Sequence, residues 1–572
     1  MKMIPYGESH FETIRNDGFL YVDKTQFIRQ LEQTRRIIHL RPRRFGKSLF
    51  ISMLECYYDV NRADQFDDLF EGLSIKENPT DNRNNYYILR FNFSGIQTTS
   101  IETINSGFFV AVKSALEIFV SKYQFKIEFE KTHLASELLR QLLTELEKLK
   151  LQHKVYVLID EYDHFTNAVL NEGLEGFMTL VTRGGMVRSF YEVIKLNCEQ
   201  GIVERFFMTG VMSISLDSMT SGFNIGTNMS TDERFAHMMG FTSEEVKDLL
   251  KTPMKNSDEQ QVVLTPSERD DVYDIWRENY NGYLFSEASS TKVFNATLIM
   301  YYLQRYIEGK KHPRRLIDPN LNQSGTTIKN LAELKNREAN YQVVEEIVKE
   351  RTISGNLSPF MDVDKKYDEN DFMTALFSIG FLTIKEGATS TKFKMPNKII
   401  EAIYVNYLSE LTQKRVGYKL DTRAQGLAID EMGEDGRIDQ LNQLVSNFLA
   451  HLSGRNEIKF DEKYIQLLYL FILTSTDQYV IYDEFPALRG YSDVVALKTP
   501  GSYAKYEYLI ELKYVKKGSK SEAIQARVDQ KFSEGVAQVT AYMKDQRLRN
   551  RCELKKFVVV FVGPKVAKME EI

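Results

Sequence analysis

A chain of 572 residues has room for roughly three to four domains, each large enough for its own core. Its 43% hydrophobic and 27% charged residues exclude long disorder, and a net charge of -5 excludes a global pull toward nucleic acid, so any such contact must come from a local patch. Cys56, Cys198 and Cys552 form no CxxC pair, which fits a reducing cytoplasm and argues against structural zinc or a disulfide framework. The first residues lack the apolar run of a signal peptide, and no stretch reads as an uninterrupted bilayer span. The expectation is a cytoplasmic, multidomain protein with no membrane contact.

In chain order, Tyr21-Val22-Asp23-Lys24-Thr25 comes first, with Asp23 or Thr25 as a cap for a helix running to about Gln33. A short apolar strand follows at Arg36–Leu40. It leads through Arg41-Pro42-Arg43-Arg44-Phe45 into Gly46-Lys47-Ser48-Leu49, which opens a helix to about Tyr58. Strand, tight turn and Gly-Lys-Ser are the parts of a phosphate-binding loop. Backbone amides over Arg44–Leu49 would cradle phosphates, Lys47 would reach the β/γ oxygens, and Ser48 would hold Mg²⁺. The usual first glycine of GxxxxGK[ST] falls at Arg41.

Tyr86–Phe93 has β-rich composition, and amphipathic helices are expected near Ile101–Tyr123 and Ala135–Leu151. Val155-Tyr156-Val157-Leu158-Ile159 then runs into Asp160-Glu161-Tyr162-Asp163. A continuous apolar run suits a strand buried on both faces of a parallel sheet. Acids at its end would sit beside the phosphates, Asp160 on Mg²⁺ and Glu161 polarising the attacking water. A third strand, Glu204–Val211, carries Thr209 where a polar residue can sense the γ-phosphate. Alternating strands and helices imply a doubly wound α/β core with its ligand at the strand C-termini. Gly222-Phe223-Asn224, Gly240-Phe241-Thr242, where Thr242 or Ser243 starts a helix, and Tyr280-Asn281-Gly282-Tyr283 complete this part.

Tyr21–Thr25, Arg41–Ser48, Ile159–Asp163, Gly240–Thr242 and Tyr280–Tyr283, in that order, resemble the predicted AAA-ATPase-like family of bacterial proteins, abundant in Bacteroidetes, in which RPRRFGKS is the usual form of the loop. The resemblance implies an AAA-like parallel-sheet P-loop domain over 1–285 that binds ATP. Leu284 departs from it, standing where a basic residue is expected. For an arginine finger, Arg188, Arg205 and Arg234 stay open, beside the plainer reading of surface arginines.

Residues 286–415 read as helical. Lys310-Lys311-His312-Pro313-Arg314-Arg315 is a solvated connection first and a phosphate contact second. A helix at Asp371–Ile379, two strands joined by the polar tip Lys385–Thr391, and a further helix give a winged-helix-like plan. With no basic stripe on its helix, packing is favoured over DNA binding. A polar, glycine-containing linker is expected over Asp421–Gly436, inside a 416–450 linker and helical lead-in.

The region 451–572 holds an apolar helix from about Asp461 and strands at Tyr479–Tyr482, Ser492–Leu497 and Tyr506–Lys513. Alternation puts Glu511 and Lys513 on one face of the third strand, Ile510 and Leu512 on the other. Asp493 and Glu511 are hard oxygen ligands for a shared Mg²⁺, and Lys513 would orient water or offset developing charge. The pattern resembles the PD-(D/E)xK nuclease superfamily, and more narrowly the nuclease-like domain that accompanies this ATPase family. That resemblance implies accessory roles for Glu484, Gln538 and Tyr542, while Tyr491 replaces an arginine often present. Positive charge gathers at Lys513, Lys516, Lys517, Lys520, Lys544, Arg547, Arg549, Arg551, Lys555 and Lys556, as a solvated face or a phosphate track. The expected whole is an α/β multidomain chain: P-loop ATPase, helical and winged-helix-like region, then a restriction-endonuclease-like domain. It would use ATP and Mg²⁺ and act on nucleic acid, DNA before RNA, with a homo-oligomer left open. The rival reading is a nucleotide-gated switch or scaffold whose last domain binds nucleic acid or a protein without cutting.

Overall fold

In a computed structural model, residues 1–164, 185–212, 226–318, 324–333, 336–358, 368–388, 390–453, 461–487, 490–516 and 521–572 are described. They form two compact units, Met1–Glu308 with Thr326–Asn397, and Gly309–Gly325 with Lys398–Ile572. The expected boundaries at 285 and 415 differ from these. The winged-helix-like elements pack within the first unit, and the helix after them belongs to the second.

The first unit is built on a five-stranded parallel sheet in the order β2-β3-β4-β1-β5. The strands are β1 (Arg36–Leu40), β2 (Tyr86–Asn92), β3 (Lys154–Asp160), β4 (Val203–Gly210) and β5 (Thr227–Asn228). Val155 to Asp160 are all buried, as an apolar run in a covered parallel sheet requires. Around it lie α1 (Lys47–Tyr58), α2 (Ile101–Lys122), α3 (Ala135–Lys148) and α4 (Met186–Glu199). By length and composition α2 could cross a membrane, an apolar length the sequence reading did not credit. Its Ile104, Phe108, Val112, Leu116 and Phe119 line one face and are fully buried. Gly222-Phe223-Asn224 lies outside the described residues.

The spaced motifs of this unit brace the loop between β1 and α1. Arg41, at the place of the missing glycine, turns inward. Its guanidinium donates to the carbonyls of Leu40 (2.8 Å), Ser230 (2.6 Å) and Phe235 (2.9 Å) and lies 4.3 Å from the centre of the Phe285 ring. Phe45 is buried edge-on to Tyr283 and Phe285. Gly240 has φ +83, donates to Phe45 O, and leaves no room for a Cβ, which would stand 2.9 Å from the Phe45 ring and from Phe294 O. Lys24 bonds Glu245 at 2.6 Å, and Glu245 in turn closes the capping box with Thr242 that starts α5 (Ser243–Lys251). Further on, α6 (Pro266–Asn279) and α7 (Ala296–Gly309) complete the helical flank.

After α8 (Arg337–Glu350) come β6 (Thr352–Ser354), α9 (Glu369–Ser378), β7 (Thr383–Ile384) and β8 (Lys392–Lys394), the strands pairing as β6-β8-β7. This adds one strand to the expected helix and hairpin. Phe372 to Phe377 on α9 are all buried, so the helix that would read DNA in such a module is committed to packing. The module docks on Tyr280–Phe285: Asn397 donates to Asn281 O (2.9 Å), and Leu284 N donates to Thr383 Oγ1 (2.7 Å). Leu284 is itself buried, which leaves no solvent for the basic residue expected there. Gly380 touches Pro42 of the loop, within 3.0 Å for an added Cβ.

In the second unit, α10 (Lys398–Val416), α11 (Thr422–Asp430) and α12 (Asp439–Ser453) precede α13 (Glu462–Leu473). The linker expected over Asp421–Gly436 is therefore α11 and a π-turn at Glu431–Asp435. Asp421 caps α11, and Ala428, Ile429 and Met432 are buried, which outweighs the polar composition. A mixed sheet follows in the order β9-β10-β11-β12-β13, with β9 (Tyr479–Ala487), β10 (Gly490–Lys498), β11 (Glu507–Val515), β12 (Leu554–Val562) and β13 (Lys565–Glu571). Only β11 and β12 run parallel. The helix α14 (Ser521–Tyr542) crosses between them and packs on both.

Candidate functional sites

The first site sits where β1 meets α1. Arg44 (φ 74) and Gly46 (φ 91) take left-handed conformations, which curl the loop and leave Gly46 as the cap of α1. Lys47 is almost fully buried. Its Nζ donates to Pro42 O (3.2 Å) and lies 3.7 Å from Glu161 Oε1. Asp160 ends β3, and among the described residues neither of its buried carboxylate oxygens has a hydrogen-bond partner. Burial pushes its pKa up; the nearby Ser48 hydroxyl and the charge of Lys47 pull it down, and Glu161 pushes it up. A buried carboxylate with open oxygens beside a serine hydroxyl and a lysine is a donor set that fits Mg²⁺ with phosphate. Arg44, Phe45, Gly46, Lys47, Ser48, Leu49, Asp160 and Glu161 are thus gathered at one end of the sheet.

Glu161 is held by a device the sequence did not disclose. It has φ +52, a left-handed backbone that a non-glycine residue keeps only when neighbours enforce it. Tyr162 N donates to Thr209 O (3.1 Å), the Tyr162 hydroxyl bonds Met212 O, and Asp163 accepts from the amides of Val211 (2.9 Å) and Met212 (2.6 Å). Gly210 makes room for this, since a Cβ there would stand 2.2 Å from Asp163 Oδ1. Burial, then Glu161, raises Asp163 to about 6.

Two further side chains considered for this site are engaged with backbone carbonyls. Thr209 is fully buried, and its hydroxyl donates to His39 O at 2.6 Å. Arg205 gives its guanidinium to Glu32 O, Thr34 O and Tyr86 OH near the start of β4, away from the phosphate end. Arg188 pairs with Glu192 and Arg234 with Asp232. Arg43, in the loop itself, is exposed, and its charge is felt by His164 beyond Glu161.

The second site lies on β10 and β11. Val494 pairs with Ile510, so Asp493 and Glu511 fall opposite one another at the next step. Asp493 Oδ2 accepts from Leu512 N at 2.7 Å. Lys513 Nζ lies 2.7 Å from Glu511, 3.8 Å from Asp493 and 3.4 Å from Glu462. Burial alone would lower Lys513, but Glu511 and Asp493 override it and keep the ammonium charged. Burial first, then Asp493, lifts Glu511 to about 7 against the pull of Lys513. Its Oε2 is buried with no partner among the described residues. Among the described residues no three His, Cys, Asp or Glu side chains are arranged around an empty metal position. The lysine occupies the middle of the acids. The donor set, two hard carboxylates with one open buried oxygen, fits Mg²⁺ once that ammonium yields.

Gly535 lets α14 come close, its absent Cβ leaving 2.6 Å to Val558 and 3.6 Å to Glu511. Two turns on, Tyr542 is buried beside the carboxylates with Gln538 bonded to it. Burial, then Glu511 and Asp493, raise the phenol to about 12. Glu484 and Tyr491 lie on β9 and β10, with side chains outside the described residues. Glu462 is the residue that sequence reasoning missed. An acid in the first turn of a helix reads as a complement to the helix dipole, and its approach to Lys513 is visible only in the fold.

Family comparisons cover the regions that hold these residues. Residues 5–220 match the family described as Predicted AAA-ATPase, and residues 460–571 match the PD-(D/E)XK nuclease superfamily. The chain carries one domain of each kind. An uncharacterized protein in the vnfD 5' region of Azotobacter chroococcum mcd 1 is 29% identical over 304 residues, 52% of each chain. The chain thus spans about half the length of the curated relative it matches.

Proposed function

We propose that the AAA-ATPase-like domain binds and hydrolyses ATP with Mg²⁺, and that this controls Mg²⁺-dependent cleavage of nucleic-acid phosphodiesters, DNA before RNA, by the C-terminal domain in the cytoplasm. The observation that carries the reading is the pair of buried, incompletely satisfied carboxylates, Asp160 beside Lys47 and Ser48, and Glu511 beside Asp493 and Lys513. Burying a charged group without full partners costs several kcal/mol, so such groups are retained where a ligand completes them.

In the first domain the amides of Arg44–Leu49 hold the phosphates. Lys47 would leave Pro42 O for the β/γ oxygens, and Ser48 and Asp160 would hold the metal. Glu161, freed from Lys47, orients the attacking water. In the second domain Asp493 and Glu511 would hold the metal, which supplies Lewis-acid stabilisation of the phosphorane and a more acidic water. Lys513 offsets the developing negative charge and Tyr542 shields the acids from solvent.

The test is a nicking assay on labelled DNA and RNA with Mg²⁺, with and without ATP. Lys47→Ala is expected to abolish ATP turnover, and Glu511→Ala or Lys513→Ala to abolish cleavage. An unchanged rate in either set removes the corresponding assignment, and binding without products favours a nucleotide-gated scaffold.

A further inference from the structure

The basic segment Lys310–Arg315 is not a free connection. It belongs to the second unit and lies against the turn between β10 and β11. Gly501, at φ +79, makes that approach: a Cβ there would stand 3.1 Å from His312 O and 3.4 Å from Arg314 Cα. Beside it Tyr503 is 80% exposed, far more than a tyrosine retained for packing. The Arg314 guanidinium lies 5.0 Å from the centre of its ring. Lys310, Lys311, Arg314 and Arg315 are all exposed. Asp477 lies 3.5 Å from Arg315, and both partners are more than half exposed, so that pair is weak.

Four cations along a short backbone beside an outward-facing aromatic ring is the composition of a single-strand platform. Phosphates take the cations and a base takes the ring. We propose that Lys310, Lys311, Arg314, Arg315 and Tyr503 form a binding platform for a single-stranded nucleic-acid segment. This rests on the reading of the second unit as nucleic-acid-directed and gives that site its holding surface. Tyr503 stands eight residues before Glu511, which bounds their separation at roughly 29 Å for a fully extended chain.

The probe is a fluorescein-labelled 20-nucleotide single-stranded DNA, titrated with full-length protein in EDTA and read by anisotropy between 50 and 300 mM salt. Tyr503→Ala is expected to lower affinity about tenfold at every salt concentration, with Tyr503→Phe near wild type. A Lys310→Ala/Lys311→Ala/Arg315→Ala variant is expected to flatten the slope of log affinity on log salt by about 2, since single strands release about 0.7 counterion per contact. An oligomer of abasic sites should bind wild type and Tyr503→Ala equally. The proposal is overturned if wild type binds no oligonucleotide at 50 mM salt. It is overturned equally if the variants stay within twofold in affinity and slope, or if these residues serve anionic lipid vesicles instead. Because metal is absent, binding without any later cleavage would fault only the nuclease reading. Cleavage with unaltered variants would fault only the platform.

Discussion

Replacing Arg41 by glycine would restore the usual P-loop residue, and here it should damage the protein. The Arg41 side chain is fully buried and donates to three carbonyls within 3.0 Å. Burial pulls its pKa down to about 9, still above neutrality, so it is charged inside the domain. Hydrogen bonds from a charged donor contribute about 1.5–3 kcal/mol each, and most of that gross gain is offset by desolvating the guanidinium. Glycine recovers the desolvation term but strands Leu40, Ser230 and Phe235 carbonyls at about 1–3 kcal/mol each and empties the space under Phe285. Water entering that space recovers part of this. The net expectation is a loss of about 3–5 kcal/mol for Arg41→Gly, read by urea denaturation of the full chain. Arg41→Lys should lose less, since an ammonium reaches fewer carbonyls than the fork does. Arg41→Gly within 1 kcal/mol of wild type would refute the bracing role of this side chain.

Other consequences are as direct. Asp163→Asn is expected to lower the ATPase kcat about tenfold with KM little changed, and to remove a fall in wild-type rate as pH drops through about 6. A retained acid limb in the asparagine variant would discount the clamp. Glu511 has a folded pKa raised to about 7, so its favourable contribution is complete below the ordinary carboxylate range and is lost as pH rises through 7. Glu511→Gln should therefore melt above wild type at pH 8 in EDTA by an amount of order 2 kcal/mol and match it at pH 5; lower stability at pH 8 would contradict the sign. Gly282 has φ +98 and a Cβ there would stand 2.0 Å from Pro396 O, whereas Gly387, at φ +68, has open space. Gly282→Ala should cost about 3 kcal/mol or more and Gly387→Ala about 1 kcal/mol by thermal denaturation, and equal effects would show that Pro396 moves freely.

Much of the first sheet was legible because strands covered on both faces are written as apolar runs. Val155–Ile159 can be little else, and the acids after it could be placed by chain order alone. Thr209 shows the opposite case. A hydroxyl at a strand end looks available until the partner strand presents His39 O. In the second unit β12 passed unrecognised because lysines flank its Phe557–Phe561 run, and β13 because Lys565–Glu571 alternates charge, as an exposed edge strand does. Several of the positive charges that suggested a phosphate track are spent nearby: Arg547 on Asp545, Arg551 on Glu507 and Lys555 on Glu571. Glu462 and the Asp163 clamp are long-range contacts that no local pattern carries.

The motifs that identified the first domain are mostly not ligand contacts. A lone Gly-Lys-Ser is common, and what made it specific was Tyr21–Thr25, Gly240–Thr242 and Tyr280–Tyr283 in fixed order. Lys24 holds Glu245, Gly240 fits under Phe45, and Tyr283 packs on the same ring. Gly282 admits Pro396 of the winged-helix-like module, whose Gly380 closes on Pro42. Pro42 also gives the carbonyl that Lys47 holds. Drawing Lys47 onto a nucleotide would release that carbonyl on the same residue whose ring meets the module. The constraint acts on the spacing of these motifs because all of them support one short loop. Arg41 can stand in place of glycine there because the tight curvature is carried three and five residues later, by Arg44 and Gly46.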